Sequence, residues 1–98
     1  MFDLTYKRTI RAKRKTLEGK NTRYFAYKCR ITGKNLDVIG DKNVVNGIRC
    51  VVRGNFCVFV GDNSLIIGKG NVVIGDDNEV RGDECEVEGN NNTIVGKD

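Results

Sequence analysis

Four cysteines are the residues of this sequence best suited to nucleophilic or metal-binding chemistry. Cys29, Cys50, Cys57 and Cys85 are separated by 21, 7 and 28 residues, so no C-x-x-C pair is present. Zinc sites and redox motifs depend on such close pairs. The sequence has no histidine, and its acidic residues show no spacing that would pair a general acid with a general base. We therefore predict a non-enzymatic protein without a metal site or a cofactor.

Basic residues near the N-terminus form a second group with chemical potential. They are Lys7, Arg8, Arg11, Lys13, Arg14 and Lys15. Residues 1–53 carry 14 Lys or Arg and 4 Asp or Glu, whereas residues 54–98 carry 3 and 9, so the two parts have net charges of +10 and −6. A basic end can attract an acidic partner, nucleic acid included, although both ends could also be solvated surface.

The dominant feature of the sequence is a glycine at every seventh position. The series comprises Gly33, Gly40, Gly47, Gly54, Gly61, Gly68, Gly75, Gly82, Gly89 and Gly96. With glycine numbered seventh, each unit follows the consensus x-x-(Asn/Cys)-x-(Val/Ile)-x-Gly. A coiled coil does not fit this heptad, because each glycine would cost about 1 kcal/mol in a helix and β-branched residues occupy the apolar position.

The seven-residue unit predicts a short β-strand followed by a turn at the glycine. The third, fifth and seventh positions have the same parity, so they point to one side of a strand. Glycine supplies a positive φ or a tight corner, and Asp or Asn often follows it, as turns prefer. One strand cannot bury its single apolar residue alone, so the units must stack into a parallel β-solenoid.

Inside this solenoid the fifth positions form a predicted core column. They are Ile31, Val38, Val45, Val52, Phe59, Ile66, Val73, Val80, Val87 and Ile94. The third positions form an inward ladder, in which stacked asparagines could hydrogen-bond to one another. Its members are Cys29, Asn43, Cys50, Cys57, Asn71, Asn78, Cys85 and Asn92. All four cysteines lie in this inward register, which favours small buried residues over reactive thiols.

The number of strands in each coil is the main open question. Two strands give fourteen residues per coil and a flat β-roll, whereas three give twenty-one and a triangular helix. We favour the roll, because one small and one apolar residue per strand suit a thin interior. A Cys29–Cys50 disulfide would favour the triangular helix, since those residues would then lie in adjacent coils.

The N-terminal segment keeps the seven-residue phase but not the consensus. Its third positions include Arg8 and Lys15, and charged side chains do not belong in a dry column. We predict that residues 13–26 form degenerate coils and that residues 1–12 form an extended arm or cap. A basic helix over residues 5–15 is the alternative. The chain thus divides into a basic arm with capping coils over residues 1–26 and a regular solenoid over residues 27–98.

Outward positions of the middle coils are unusually apolar. The candidate partner-binding residues are Val44, Val58, Val60, Leu65, Ile67, Val72 and Ile74. On a two-stranded roll, Leu65 and Ile67 fall on one face and the other five on the opposite face. Apolar pairs in consecutive coils are unusual on a soluble monomer and indicate a contact surface, unless the surface merely tolerates residues of high β-propensity.

The repeat resembles that of the plant ice-recrystallisation-inhibition proteins. The best-matching units are "DKNVVNG" (41–47), "KGNVVIG" (69–75) and "NNNTIVG" (90–96), and the resemblance covers residues 27–96. It implies a left-handed β-roll with fourteen residues per coil, a valine core and asparagine ladders. The repeat is also similar to those of trimeric adhesin heads and of some proteins of large DNA viruses. This chain departs from the plant pattern in its four third-position cysteines and its N-terminal segment.

Three functions are compatible with these features. We favour a structural or assembly protein that docks onto other subunits, most concretely a minor capsid or cement protein in the virion of a large DNA virus. Ice binding is the first alternative, although outward charges are expected to interrupt both faces. These charged residues are Arg53, Glu79, Arg81, Glu86 and Glu88. Nucleic-acid binding through the basic arm is the second alternative. The sequence predicts a cytoplasmic or virion location rather than secretion.

Overall fold

The computed structural model describes residues 8–96, which form thirteen β-strands and no helix. The strands are β1 (Arg8–Lys13), β2 (Thr16–Lys20), β3 (Thr22–Tyr27), β4 (Arg30–Lys34), β5 (Asp37–Ile39), β6 (Val44–Ile48), β7 (Val51–Arg53), β8 (Val58–Asp62), β9 (Leu65–Ile67), β10 (Val72–Ile74), β11 (Glu79–Arg81), β12 (Glu86–Glu88) and β13 (Thr93–Val95). Odd-numbered strands form a seven-stranded sheet and even-numbered strands a six-stranded sheet. The result is an all-β parallel solenoid of about six coils, as the sequence predicts.

Each coil contains fourteen residues and two strands. Val38 pairs with Val52 in the seven-stranded sheet, and Val45 pairs with Phe59 in the six-stranded sheet, always in parallel register. The flat β-roll is thereby confirmed and the twenty-one-residue triangular helix is wrong. All four cysteines are free thiols, so no disulfide joins Cys29 to Cys50.

The fifth-position residues form the hydrophobic core between the two sheets. From Ile31 to Val80 every member of the predicted column is at most 1% exposed. Burial then declines towards the last coil, where Val87 is half-buried and Ile94 is 57% exposed. Each strand contributes one such side chain to the space between the two sheets, and these side chains together fill it.

The regular coils begin earlier than the sequence suggests. Strand β1 pairs in parallel with β3 from Arg8 to Lys13, so residues 8–12 add a strand to the solenoid, and the alternative of a basic helix is wrong for this strand. Lys15, which departs from the third-position consensus, is exposed rather than buried. Tyr24, at a fifth position, is only 1% exposed and fills the core of these coils. Residues 1–7, including Lys7 of the predicted arm, lie outside the described residues.

The inward asparagines connect successive coils through the backbone rather than through one another. The Cys57 N–H donates to Oδ1 of Asn71 at 2.8 Å, and Asn71 Nδ2 donates to the Gly54 carbonyl at 3.1 Å. Asn78 makes the equivalent bonds with the Ser64 N–H and the Gly61 carbonyl. The expectation of amide-to-amide bonds is therefore wrong for this ladder. Each buried amide instead satisfies backbone groups that the turns leave without strand partners.

A second set of side-chain bonds reinforces the turns. Oδ1 of Asp41 accepts the Asn55 N–H at 3.0 Å, and Oδ1 of Asp62 accepts the Asp76 N–H at 2.9 Å. These residues follow the repeat glycine, where the sequence predicts turn-forming Asp and Asn. Their carboxylates hold the next coil as well as shaping their own turn.

The left-handed residue of each turn lies two positions after the glycine. There φ is between 54° and 67° in every turn from Arg14 to Asn91. Most repeat glycines have a different, larger positive φ, such as 146° at Gly82, although Gly47 and Gly54 do not. A Cβ at Gly82 would lie 1.5 Å from the carbonyl oxygen of Gly68, one coil earlier. Glycine is required here because adjacent coils approach more closely than any side chain allows.

We expect that replacing Cys57 by asparagine will stabilise the roll by about 1 kcal/mol, because two neutral hydrogen bonds would replace weak thiol contacts. Cys57 Sγ lies 3.5 Å from the Gly40 carbonyl, which has the same position relative to Cys57 as the Gly54 carbonyl has to Asn71. By the same register, an amide oxygen at position 57 would reach the backbone N–H of Asn43. The free energy of unfolding in urea measures the change.

The matched control is Cys57→Ala, which removes the thiol without supplying an amide. This variant should be less stable than the wild type, since it leaves a small cavity. If Cys57→Asn also lowers the unfolding free energy, the backbone role of the ladder amides would be contradicted at this position.

Candidate functional site

The outer surface of the six-stranded sheet carries the largest ordered array of apolar side chains. Register aligns Val44, Val58 and Val72 in one row, and Val60 beside Ile74 in a second row that begins at Asn46. We call Val44, Val58, Val60, Val72 and Ile74 the apolar face. Four of these side chains are half-buried by their neighbours, and Ile74 is 40% exposed. Adjacent coils are about 4.8 Å apart, so the array is evenly spaced.

Charged residues border the apolar face but do not enter it. Strand β12 places Glu86 beside Val72 and Glu88 beside Ile74 at one end. Strand β4 places Arg30 beside Val44 and Thr32 beside Asn46 at the other end. The two rows of the apolar face therefore carry no charge over three consecutive coils, with acidic residues at one end and a basic residue at the other. Asp62 at the end of β8, beside Ile48, lies next to these rows.

The outer surface of the seven-stranded sheet has a different character. Leu65 and Ile67 lie there, away from the apolar face, as a fourteen-residue coil requires. Ile67 is flanked by Arg53 and Arg81 in the neighbouring strands. Arg81 also forms an ion pair with Glu79, with 2.6 Å between the guanidinium and the carboxylate. Charge is thus mixed with the apolar residues on this sheet.

The described basic residues named from the sequence lie on strand β1 and in the turn that follows it. Arg8 and Lys13 lie at the two ends of β1. Arg11 lies on the same strand, with its guanidinium 5.5 Å from the centre of the Phe25 ring. Arg14 and Lys15 lie in the turn that follows β1. Within the described residues, these cations are therefore divided between a sheet surface and one edge of the roll.

Sequence inspection missed a row of cations along that edge. Arg14, Lys28 and Lys42 all occupy the left-handed turn position, with φ of 56°, 56° and 60°. Their fourteen-residue spacing is visible in the sequence, but it has meaning only once the coil length is known. The row lies beside Arg30 and Lys15 in an open groove.

The cysteines have the environment of packing residues rather than of reactive groups. Cys29, Cys50 and Cys57 are buried, and Cys85 is half-buried. Loss of solvation on burial raises the pKa of the Cys50 and Cys57 thiols, which disfavours the nucleophilic thiolate. Among residues 8–96, no three cysteine, aspartate or glutamate side chains are close enough together to hold a metal ion.

No helix in the described part of the chain is long and apolar enough to cross a membrane.

Together these features define the class of the molecule: a parallel β-roll with a buried core column and an apolar face on the six-stranded sheet. The family model described as "grass antifreeze beta roll" matches residues 7–97, and the chain belongs to that family. The match includes the degenerate N-terminal coils and confirms the resemblance noted from the repeat. Comparison with curated proteins and comparison with solved structures give no match.

Proposed function

We propose that this protein binds ice through the apolar face and thereby inhibits ice recrystallisation. The family match over residues 7–97 is the observation that carries this proposal, since the family is described by its antifreeze members. It favours the ice-binding alternative over the structural role that the sequence alone suggests. Neither the family nor the fold offers support for a capsid or cement function.

The geometry of the apolar face is suited to a crystalline surface. Side chains repeat about every 4.8 Å across the strands and about every 6.7 Å along them, because alternate residues point outward. Valine and isoleucine present methyl groups with few rotamers, so their positions vary little. A flat, regular surface of this kind can order water without holding it by charge.

Rigidity supports the same function. The core column behind the face is fully buried from Ile31 to Val80, and inward amides such as Asn71 hold successive coils together. A surface that matches a crystal must keep its spacing before contact, because ordering it on binding would cost free energy. Hydrogen bonds between parallel strands set the spacing of the coils, and the repeat glycines leave room for that close approach.

Outward charges interrupt the apolar residues of only one of the two sheets, contrary to the expectation from sequence. On the six-stranded sheet Arg30, Glu86 and Glu88 lie at the ends of the array and leave three coils uninterrupted. On the seven-stranded sheet Arg53 and Arg81 flank the apolar residues directly. We therefore assign ice binding to the six-stranded sheet and not to the opposite surface.

The double variant Val60→Lys/Ile74→Lys tests the assignment. The two residues are register neighbours, and two hydrated ammonium groups would disrupt contact with a flat crystal. We expect the protein concentration needed to keep ice crystals small to rise at least about tenfold, equivalent to about 1.4 kcal/mol. The measurement is the mean crystal size in a thin frozen film annealed just below the melting point.

The matched control is Val51→Lys/Leu65→Lys, which alters a register pair on the opposite sheet. This variant should retain full activity, and circular dichroism should show that both variants are folded. Equal loss in the two variants, or a wild-type protein with no effect on crystal size, would refute the assigned face.

Docking of the apolar face against another protein subunit is a second candidate function. It is supported by the exposure of apolar side chains in three consecutive coils and by Ile94 and Val95 at more than half exposure in β13. Sedimentation velocity over a range of protein concentrations distinguishes the two candidates. Self-association that the Val60→Lys/Ile74→Lys variant abolishes would favour docking to a second copy, whereas a monomer that inhibits recrystallisation would favour ice.

A further inference from the structure

One edge of the roll carries a row of cations that ice binding does not use. It is formed by the turns that connect β1 to β2, β3 to β4 and β5 to β6, and it presents Arg14, Lys28 and Lys42 one coil apart. Backbone hydrogen bonds stack the turns directly: the Arg14 N–H donates to the Tyr27 carbonyl, and the Lys28 N–H donates to the Asp41 carbonyl. Because the three residues share one backbone conformation, their side chains leave the edge in a line with a spacing of about 4.8 Å.

Two further cations widen this row into a groove. Lys15 follows Arg14 in the turn, and Arg30 begins β4. With Arg14, Lys28 and Lys42 they line an open groove of about 260 Å³. We call these five residues the basic edge. Each of the five is exposed, so their charged groups reach solvent.

No ion pair within residues 8–96 involves a residue of the basic edge. Within residues 8–96 the ion pairs lie elsewhere, at Arg23–Asp37, Lys69–Glu84 and Arg81–Glu79. Asp41 is the acidic residue within these turns, and its Oδ1 accepts the Asn55 N–H at 3.0 Å. Its single negative charge offsets only one of the five positive charges. Like charges in directly opposed positions of neighbouring strands destabilise a sheet, so this row costs stability unless a polyanion offsets it.

Aromatic rings lie at the N-terminal end of the row. Tyr27 directly precedes Lys28, whose Nζ lies 5.4 Å from the centre of the tyrosine ring. Phe25 is 37% exposed and lines a second groove with Arg11, Lys13 and Lys15. Lys15 therefore belongs to both grooves, so a polymer that follows the basic edge can pass from the row of cations to an exposed ring.

We propose that the basic edge binds single-stranded nucleic acid, with phosphates along Arg14, Lys28 and Lys42 and a base stacked at Phe25. A single row of charge on the edge of a slab about 19 Å thick suits a linear polymer better than a planar membrane. Adjacent aromatic rings favour nucleic acid, because bases stack on them whatever the sequence. The groove adjoins the apolar face at Arg30 and Val44. The residues changed in the two tests do not overlap, so either function can fail without the other.

The test is fluorescence anisotropy of a labelled oligothymidylate titrated with the full chain at several salt concentrations. Five phosphate contacts predict that the logarithm of the binding constant falls with the logarithm of salt concentration with a slope of about −3.5, since each contact contributes about 0.7 on single strands. The variant Lys28→Asn/Lys42→Asn should reduce the slope to about −2. Asparagine tolerates the left-handed conformation at both sites, so the fold is retained.

The matched control is Lys20→Asn/Lys34→Asn, which removes two exposed lysines from the opposite edge of the same coils. It should leave the slope near −3.5. Phe25→Ala should weaken binding about tenfold without changing the slope, because it removes a stacking contact and no charge. Circular dichroism verifies that each variant is folded.

Several results would overturn the proposal. Equal losses in the two lysine double variants would mean that only net charge matters, and no binding by the wild type at low salt would exclude the site. Tighter binding to heparin, with no effect of Phe25→Ala, would assign the basic edge to sulfated polysaccharide. Tighter binding to phosphatidylserine vesicles than to the oligonucleotide would assign it to an anionic membrane.

Discussion

Replacing Val73 by aspartate is expected to unfold the protein. Val73 is 0% exposed and lies in the core column between Phe59 and Val87 of the neighbouring coils. The substitution loses about 1.5–3 kcal/mol of apolar burial. It also places a carboxylate in a core where no cation can reach it, at a cost of several kcal/mol more. Because small domains are stable by only about 5–15 kcal/mol, the far-ultraviolet circular dichroism of this variant should lose its β-sheet signal.

Ile74→Asp is the matched control, since the next residue along β10 points outward and is 40% exposed. This variant should keep the wild-type spectrum, and its urea midpoint should fall only slightly, because the new carboxylate lies beside Glu88. An unfolding midpoint for Val73→Asp as high as that of Ile74→Asp would show that position 73 is not in the core.

Replacing Gly82 by alanine is expected to destabilise the roll by about 3–5 kcal/mol, through backbone strain and overpacking together. The added Cβ would lie 1.5 Å from the Gly68 carbonyl oxygen, and φ at Gly82 is 146°. No change of rotamer can relieve this clash, because the opposing atoms belong to the backbone. The two coils must separate, which weakens the hydrogen bond from the Gly68 N–H to the Arg81 carbonyl. Urea unfolding measures the loss.

Gly70→Ala provides the comparison, since Gly70 occupies the left-handed turn position with φ of 67°. Other coils place residues such as Lys42 and Asp77 in the same conformation. The new Cβ would meet the Phe56 ring at 2.8 Å, but that side chain is 60% exposed and can rotate away. A loss of about 1 kcal/mol is expected. Similar losses for Gly70→Ala and Gly82→Ala would contradict the argument from close approach between coils.

The amino-acid sequence by itself determined the repeat, the inward positions and the class of fold. Glycine recurs at every seventh residue because backbone atoms of adjacent coils leave no room for a Cβ there. The period therefore appears directly in the sequence. The alternation of side chains along a strand is equally local, and it placed Val38 and Val73 in the core without knowledge of the coil. The repeat also indicated the antifreeze family, which the family model confirms.

The tertiary structure alone decided where the coils begin and which surfaces can act. Arg8 and Lys15 look foreign to the repeat, yet β1 pairs with β3 because parallel pairing depends on backbone groups rather than on side-chain type. The partners of the inward amides lie fourteen or seventeen residues away, beyond the reach of any local pattern. The stacking of fourteen-residue coils is also what separates the apolar face from the interrupted surface opposite and brings Arg14, Lys28 and Lys42 into one row. These surfaces arise from contacts between coils, so the sequence contains their residues but not their arrangement.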